Sequence, residues 1–343
     1  MAKTLRGVNL GGWLVLEPWI TPSLFKDTSA PDEFTYCDEA SPERFHKLKE
    51  HHKTWITKND FEWIAAQGFE AVRIPVGYWI FGNINPYVGA ISYLDRAFDW
   101  ADEYGLKVVL CLHGAPGSQN GEMHSGRSGT AAWADDPTNI EVSLQTIIKL
   151  AERYKGRRSL LGIEVLNEPS SAIPRRQLTR YYRSAYSAIR LLCGPRVWVI
   201  FDDRFKPVRW QWVLHWPARR NALLDHHHYQ AFTPQDKALD IAGHLAKVQR
   251  VGWLLRLIGW HRRLIVGEWS AALDPQSLQS LQGGELTAAY KVYVQAQTKA
   301  FRAADAWFYW TYRTEDTGPW NLRSMVEQGI ITVSPRVLKT TTK

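Results

Sequence analysis

The sequence predicts an α/β fold, a single-domain (β/α)8 TIM barrel, on three observations. Eight apolar, β-branched runs recur along the chain, and segments with helical spacing of apolar residues separate them. No Gly/Ser-rich or Pro-rich linker and no shorter internal repeat divides the 343 residues. Strands alternating with amphipathic helices form parallel βαβ units, and eight units in succession suggest a closed barrel. Residues 1–343 are therefore read as one domain.

The runs fall at 5–10, 71–76, 107–112, 161–166, 197–201, 222–226, 264–267 and 306–310. After the first, Thr57 and Asp60 make a capping-box-like helix start, Phe61, Ile64 and Ala65 form an apolar stripe, and Gly68 stops it. Between the second and third runs, Leu94, Ala97, Phe98 and Ala101 repeat at helical spacing before Gly105. Between the third and fourth, Ile140, Leu144, Ile147, Ile148 and Ala151 do the same before Gly156. The segment 251–260, flanked by Arg250 and Arg262-Arg263, reads as a barrel helix packing on the sheet. Its aromatic and basic content also makes contact with a membrane surface conceivable.

Composition narrows the function classes. Hydrophobic residues at 45% and charged residues at 22% describe a globular protein with ample core material. The net charge of +8 is spread in pairs such as Arg157-Arg158, Arg175-Arg176, Arg219-Arg220 and Arg262-Arg263, and no nucleic-acid motif accompanies it, so no nucleic-acid partner is expected. Three cysteines without close spacing (Cys37, Cys111 and Cys193) give neither a disulfide framework nor a zinc site, and Cys111 reads as a small buried hydrophobe. No leader pattern begins the sequence, which fits a cytoplasmic protein and equally a secreted one whose leader was removed. Seventeen Trp far exceed ordinary usage, and those near strand ends are candidates for stacking on sugar rings.

The carboxyl ends of barrel strands form the floor of the active site in this architecture. Polar groups collect there: Glu17 after the first run, Arg73 on the second, His113 after the third, Asn167 and Glu168 after the fourth, His227 and Tyr229 after the sixth, Glu268 after the seventh, and Trp310 on the eighth. The strings Leu166-Asn167-Glu168-Pro169 and Val266-Gly267-Glu268-Trp269 each set a glutamate where a strand is expected to end. Two facing carboxyl groups can cleave a glycosidic bond, one protonating the leaving oxygen while the other attacks the anomeric carbon or activates water. The triplet His226-His227-His228 does not imply a metal. Successive strand residues point to opposite faces, and no carboxylate or cysteine is seen to complete a ligand set. No metal and no cofactor is expected. A sugar-binding barrel without catalysis predicts loss of one glutamate, and both are present.

Long strings then resemble family 5 of the glycoside hydrolases, in clan A, and within it the exo-β-1,3-glucanase group of fungi. They are Arg6-Gly7-Val8-Asn9-Leu10-Gly11-Gly12-Trp13, Leu16-Glu17-Pro18, Trp55-Ile56-Thr57, Val72-Arg73-Ile74-Pro75-Val76-Gly77-Tyr78-Trp79, Leu112-His113-Gly114-Ala115-Pro116-Gly117-Ser118-Gln119-Asn120-Gly121, Asn167-Glu168-Pro169, Asp225-His226-His227-His228-Tyr229-Gln230 with Phe232, and Gly267-Glu268-Trp269-Ser270-Ala271-Ala272. The resemblance implies a retaining β-glucoside hydrolase, with a β-glucan or β-glucoside as substrate, acting as a monomer. Glu168 is implied as acid/base and Glu268 as nucleophile, with Arg73 and Tyr229 holding Glu268 ionised. Glu168, beside a second negative charge, is then expected to keep its own proton. The resemblance further implies Asn167, His113 and Glu17 on sugar hydroxyls, Trp310 as a platform beneath the ring, and Phe232 as part of an acceptor clamp.

The chain departs from that pattern after Asn120-Gly121. Glu122-Met123-His124 stands where the fungal group has an aromatic residue followed by Asp-Asn, so half of the clamp is missing. Trp133, Trp210, Trp212 and Trp320 are candidates to rebuild the acceptor side. A glucosylated lipid or sterol, or endo cutting of a β-glucan, is the alternative reading, motivated by the lost clamp and the basic, apolar helix near Trp253.

Overall fold

In the computed structural model, residues 3–39, 41–213 and 221–333 are described; Arg219-Arg220 lies outside them. Eight parallel strands close into a barrel in sequential order: β1 (Leu5–Asn9), β2 (Ala71–Gly77), β3 (Lys107–Gly114), β4 (Leu160–Glu164), β5 (Trp198–Asp202), β6 (Ala222–Gln230), β7 (Leu264–Leu273) and β8 (Ala306–Tyr309). β8 pairs back onto β1, with Gly7 opposite Phe308. Every predicted run becomes a strand. The helices fall where their stripes place them: Lys58–Ala66, entered by a Thr57 N–H donating to Asp60 Oδ2 at 2.8 Å, Ile91–Tyr104 and Pro137–Tyr154. The last buries Ile147 and Ala151 as expected, together with Ser143, Thr146, Leu150 and Tyr154, while Ile140 and Leu144 pack half-buried against the core and Ile148 is half-buried.

Strand alternation sorts the residues into two populations. Val72, Ile74 and Val76 of β2, Val108, Leu110 and Leu112 of β3, and Val199 and Phe201 of β5 face outward, into the main core beneath the helices. Their alternate neighbours face the lumen. In its lower half the lumen is filled by Ala71, Val109, Trp198, Ile200, Leu223, Ile265, Ala306 and Phe308, with Leu5 and Leu161 against them. Gly7 makes this packing possible, because a Cβ there would come within 2.3 Å of the Phe308 ring. One turn of the pleat higher, the lumen residues become Asn9, Arg73, Cys111, Glu164, Asp202 and Asp225, all buried.

Four strands exceed their predicted length: β2 by one residue, β3 by two, so that His113 lies within it rather than after it, and β6 and β7 by more. β6 and β7 run on together past the barrel rim, pairing His227 with Glu268, His228 with Trp269 and Gln230 with Leu273 across register shifts. Glu268 therefore sits within β7, not after its end as the sequence suggested, and His227 and Tyr229 sit within β6. The mutual pairing supplies the backbone hydrogen bonds that let both strands continue.

Candidate active site

Arg73 organises the upper lumen. Its five guanidinium N–H donors meet five acceptors: Nε gives to Glu164 Oε2 at 2.8 Å, Nη1 to Asn9 Oδ1 at 2.8 Å and Glu268 Oε1 at 2.9 Å, and Nη2 to Asn167 Oδ1 at 2.7 Å and Cys111 Sγ at 3.2 Å. A fully buried arginine with every donor used is a fixed cation. Cys111 is thus more than a small hydrophobe, since its sulfur faces that cation. Glu268 gains a second donor from the Tyr229 hydroxyl at 2.8 Å, so each of its oxygens accepts one strong bond. Asn9 Nδ2 also donates to the Gly267 carbonyl at 2.9 Å, fixing the strand immediately before Glu268.

Glu168 approaches from the opposite side. It follows β4 on an irregular turn and holds a left-handed φ of +40°, a strained conformation of the kind found at functional sites. Carboxylate oxygens of Glu168 and Glu268 and a ring nitrogen of His227 all lie within 4.8 Å of one another. His227 Nδ1 stands 2.6 Å from Glu168 Oε1 and 3.5 Å from Glu268 Oε2; its Nε2 stands 3.6 Å from Asp225 Oδ2 and 3.9 Å from Asp202 Oδ2. Gly267 permits this, because a Cβ there would meet Asp225 Oδ2 at 2.0 Å, and its N–H donates to Asp225 Oδ1 at 2.6 Å.

These carboxylates decide where the proton rests. Burial alone would drive His227 neutral. The charges of Glu268 and Asp225, with bonds to Asp225 and Glu168, outweigh burial and hold its pKa well above the ordinary imidazole value. Burial likewise pushes Glu168 up, yet the His227 bond and charge, then His124 and Arg73, bring it down to about 2. The proton expected on Glu168 therefore rests on His227, hydrogen-bonded to it. The reason is the direct contact of Glu168 with His227, a residue the strand-end reading named without pairing it to Glu168. Glu164 is pushed by burial, against Arg73, up to about 7, so near neutral pH it is divided between its charged and neutral forms, while burial raises Asp202 well above its usual range and keeps it protonated there.

The expectation that no carboxylate accompanies the histidines also fails. Glu164, Asp202 and His227, and separately Glu168, His227 and Glu268, bring donor atoms within 4.8 Å. The fixed Arg73 cation already neutralises one member of each set, at Glu164 and Glu268, which argues for an ion-pair network over a metal cradle. His226 and His228 point to the other face of β6, where they meet Asp203 at 2.7 Å and Gln230 at 3.0 Å.

The remaining candidates line the space above. Trp310 stacks on His113 with centroids 5.4 Å apart and planes 7° from parallel. His113 is buried and kept neutral by that burial. Asn167 spends its oxygen on Arg73, leaving Nδ2 without a protein partner, and Glu17 Oε1 is similarly unpartnered while its Oε2 accepts from Trp19 Nε1 at 2.9 Å. Burial, with the charges of Glu268 and Glu168 adding and the Trp19 bond opposing, raises Glu17 to about 8. His124, which the sequence marked only as a departure, reaches Glu168 Oε2 at 3.4 Å and is held by Asn120 at 2.8 Å.

The four tryptophan candidates separate cleanly. Trp133 and Trp210 are buried in the core, and Trp212 stacks on His261 at 5.2 Å, away from the glutamates. Trp320 stacks on Phe232 with centroids 5.9 Å apart, beside Tyr229 at 5.5 Å, and Trp19 closes its edge at 5.4 Å. Phe232 itself is 63% exposed, at the mouth.

Residues 38–316 match the model of the cellulase family described as glycosyl hydrolase family 5. A glucan 1,3-beta-glucosidase of Blumeria graminis is 35% identical over 96% of this chain and 87% of its own length. One from Kluyveromyces lactis is 35% identical over 95% of this chain and 88% of its own. Among solved structures, the rutinosidase from Aspergillus niger superposes with a TM-score of 0.78 at 21% identity over 96% of this chain and 98% of its own, a likeness of fold. The chain thus belongs to glycosyl hydrolase family 5 and is a glycoside hydrolase.

Proposed function

We propose that the protein is a retaining exo-acting β-glucosidase that removes glucose from β-1,3-glucans, with residues 1–343 working as one catalytic domain and as a monomer. The observation that carries the reading is that an oxygen of Glu168 and an oxygen of Glu268 lie within 4.8 Å of each other, which fits the short carboxyl spacing of retaining enzymes better than the wider spacing of inverting ones. The names of the relatives, glucan 1,3-beta-glucosidases at 35% identity, support the linkage.

In this reading Glu268, held ionised by Arg73 and Tyr229, attacks the anomeric carbon. The leaving oxygen takes a proton from Glu168, which is resupplied by His227 across their 2.6 Å contact. Forming the ester consumes the charge on Glu268 that helped hold the proton on His227. Glu168 then accepts a proton from water as the water attacks the glycosyl ester and passes it back to His227 across the same contact, releasing β-glucose and restoring Glu268, Glu168 and His227 to their starting states. Asn167 Nδ2 and the protonated Glu17 donate to hydroxyls of the reacting sugar, His113 contacts another, and Trp310 supports the ring face. Phe232 and Trp320 form the wall for the acceptor sugar in place of the missing clamp residue. The basic helix that motivated a glucosylated lipid ends at the other end of the barrel, so it lends that alternative no support.

Two measurements test the reading together. Proton NMR of the first product from laminarin is expected to show the β-anomer of glucose before mutarotation; an initial α-anomer overturns retention. Trp320→Ala is expected to lower kcat/KM on laminari-oligosaccharides about tenfold while sparing an aryl β-glucoside, the scale of one lost aromatic contact; equal losses on both remove Trp320 from the acceptor wall.

A further inference from the structure

The helix Ile241–Gly259 has two unlike faces. Inward it buries His244, Val248, Gly252, Leu255 and Ile258. Gly252 allows a close approach to the neighbouring helix Gly283–Ala300, because a Cβ there would lie 3.0 Å from that of Ala300. Outward, residues 253, 256, 257 and 260 follow the i, i+3, i+4, i+7 spacing of one stripe. Trp253 is 66% exposed, Leu257 62% and Trp260 90%. Arg256 lies over the Trp253 ring at 5.7 Å. Between the two helices runs a groove of about 480 Å³ with Val248 and Ala300 at its floor and Trp253, Arg256, Val292 and Lys299 among its walls. Trp212, 59% exposed and stacked on His261, extends the patch beyond the helix end.

The charge of this surface is one-sided. No Asp or Glu occurs from 241 to 263 or from 286 to 304. Arg262 is buried, Lys247 pairs with Asp236 and Arg263 with Asp305, so the outward charge of the face rests on the exposed Arg250, Arg256 and Lys299. A large apolar stripe on a soluble enzyme marks an interaction surface. A second copy docking here about a two-fold axis would bring together two copies of the same arginine-bearing patch, an arrangement that like charge opposes. Indole rings interleaved with arginines instead suit the headgroup level of a bilayer carrying negative lipids. Among the described residues no helix is long and apolar enough to cross a membrane, so such contact is peripheral.

We propose that this face, centred on Trp253, Leu257 and Trp260, binds an anionic phospholipid surface. The helix ends just before β7 begins, at the opposite end of the barrel from Glu168 and Glu268. Docking on this flank leaves the catalytic mouth uncovered, so the proposal stands independently of the substrate assigned above.

Flotation of the full chain with vesicles tests it. The protein is expected to float with phosphatidylcholine vesicles containing phosphatidylglycerol, not with pure phosphatidylcholine, and to be released as salt rises. The variant W253A/L257A/W260A is expected to bind at least about tenfold more weakly, and R250E/R256E to lose binding, while both hydrolyse a soluble aryl β-glucoside as the parent does. Absence of binding to the anionic vesicles by the parent overturns the proposal, as does unchanged binding by either variant. Sedimentation velocity without lipid is the second arm: a dimer of the parent that the triple variant abolishes would assign the face to self-association and overturn the lipid reading.

Discussion

The lower and upper halves of the barrel lumen are built on the same eight strands, a few ångströms apart, yet they obey opposite rules. Below, Phe308, Ile265, Leu223 and Trp198 exclude water and carry no ionisable group. Above, Glu164, Asp202, Asp225, Glu168, Glu268 and Glu17 crowd around only two buried cations, Arg73 and His227. More acids than cations share a buried space, so protons must be distributed among them, and the distribution sets the chemistry. The apolar plug gives that arrangement rigidity and low dielectric. Within the lumen, apolar packing is concentrated below and reactivity above.

The sharpest way to break this division is Glu268→Ala. Turnover is expected to fall by at least about a thousandfold, since no other group faces the anomeric carbon from that side. Added azide is expected to restore part of the rate and to give a glycosyl azide of inverted configuration; a variant that turns over normally removes Glu268 as nucleophile. Phe308→Ala acts on the other half. It empties the space beside Gly7 and is expected to cost about 3–5 kcal/mol of unfolding free energy, read by urea denaturation. If the halves are separable, the folded variant keeps the parent's pH–rate profile. A displaced profile would show that the plug also tunes the acids above it.

The architecture was readable because parallel barrel strands, buried on both faces, announce themselves as apolar runs between helix-period segments. The glutamates were readable because they follow such runs. What escaped were the residues one pleat lower. Glu164 and Asp225 lie inside strands, where a sequence scan counts them as interruptions of an apolar run, and only alternation reveals that they share the lumen with Arg73 and His227. An acid two positions before His227 was the available signal. The extension of β6 and β7 was hidden for a different reason: strand length there depends on pairing between distant segments, and no local propensity encodes it. The tryptophans give the same lesson, since Trp133 and Trp320 look alike in sequence and one is core while the other stands at the mouth.

The finest test of the division concerns a single proton. Glu17 is raised by burial, and by the charges of Glu268 and Glu168, from 4.5 to about 8. Between those values the folded chain holds a proton that the unfolded chain has released, so stability falls as pH rises through this window. Glutamine keeps the acceptor for Trp19 Nε1 and carries no titrating group. The difference in Tm between Glu17→Gln and the parent is therefore expected to grow in favour of the variant from pH 5 to pH 9, by a few degrees for a chain of this size. Glu164 and the other shifted acids titrate in both proteins, and their effects cancel in that difference. A difference that stays flat across the window would mean that Glu17 ionises as an ordinary carboxyl does. It would then serve the sugar as a hydrogen-bond acceptor rather than a donor.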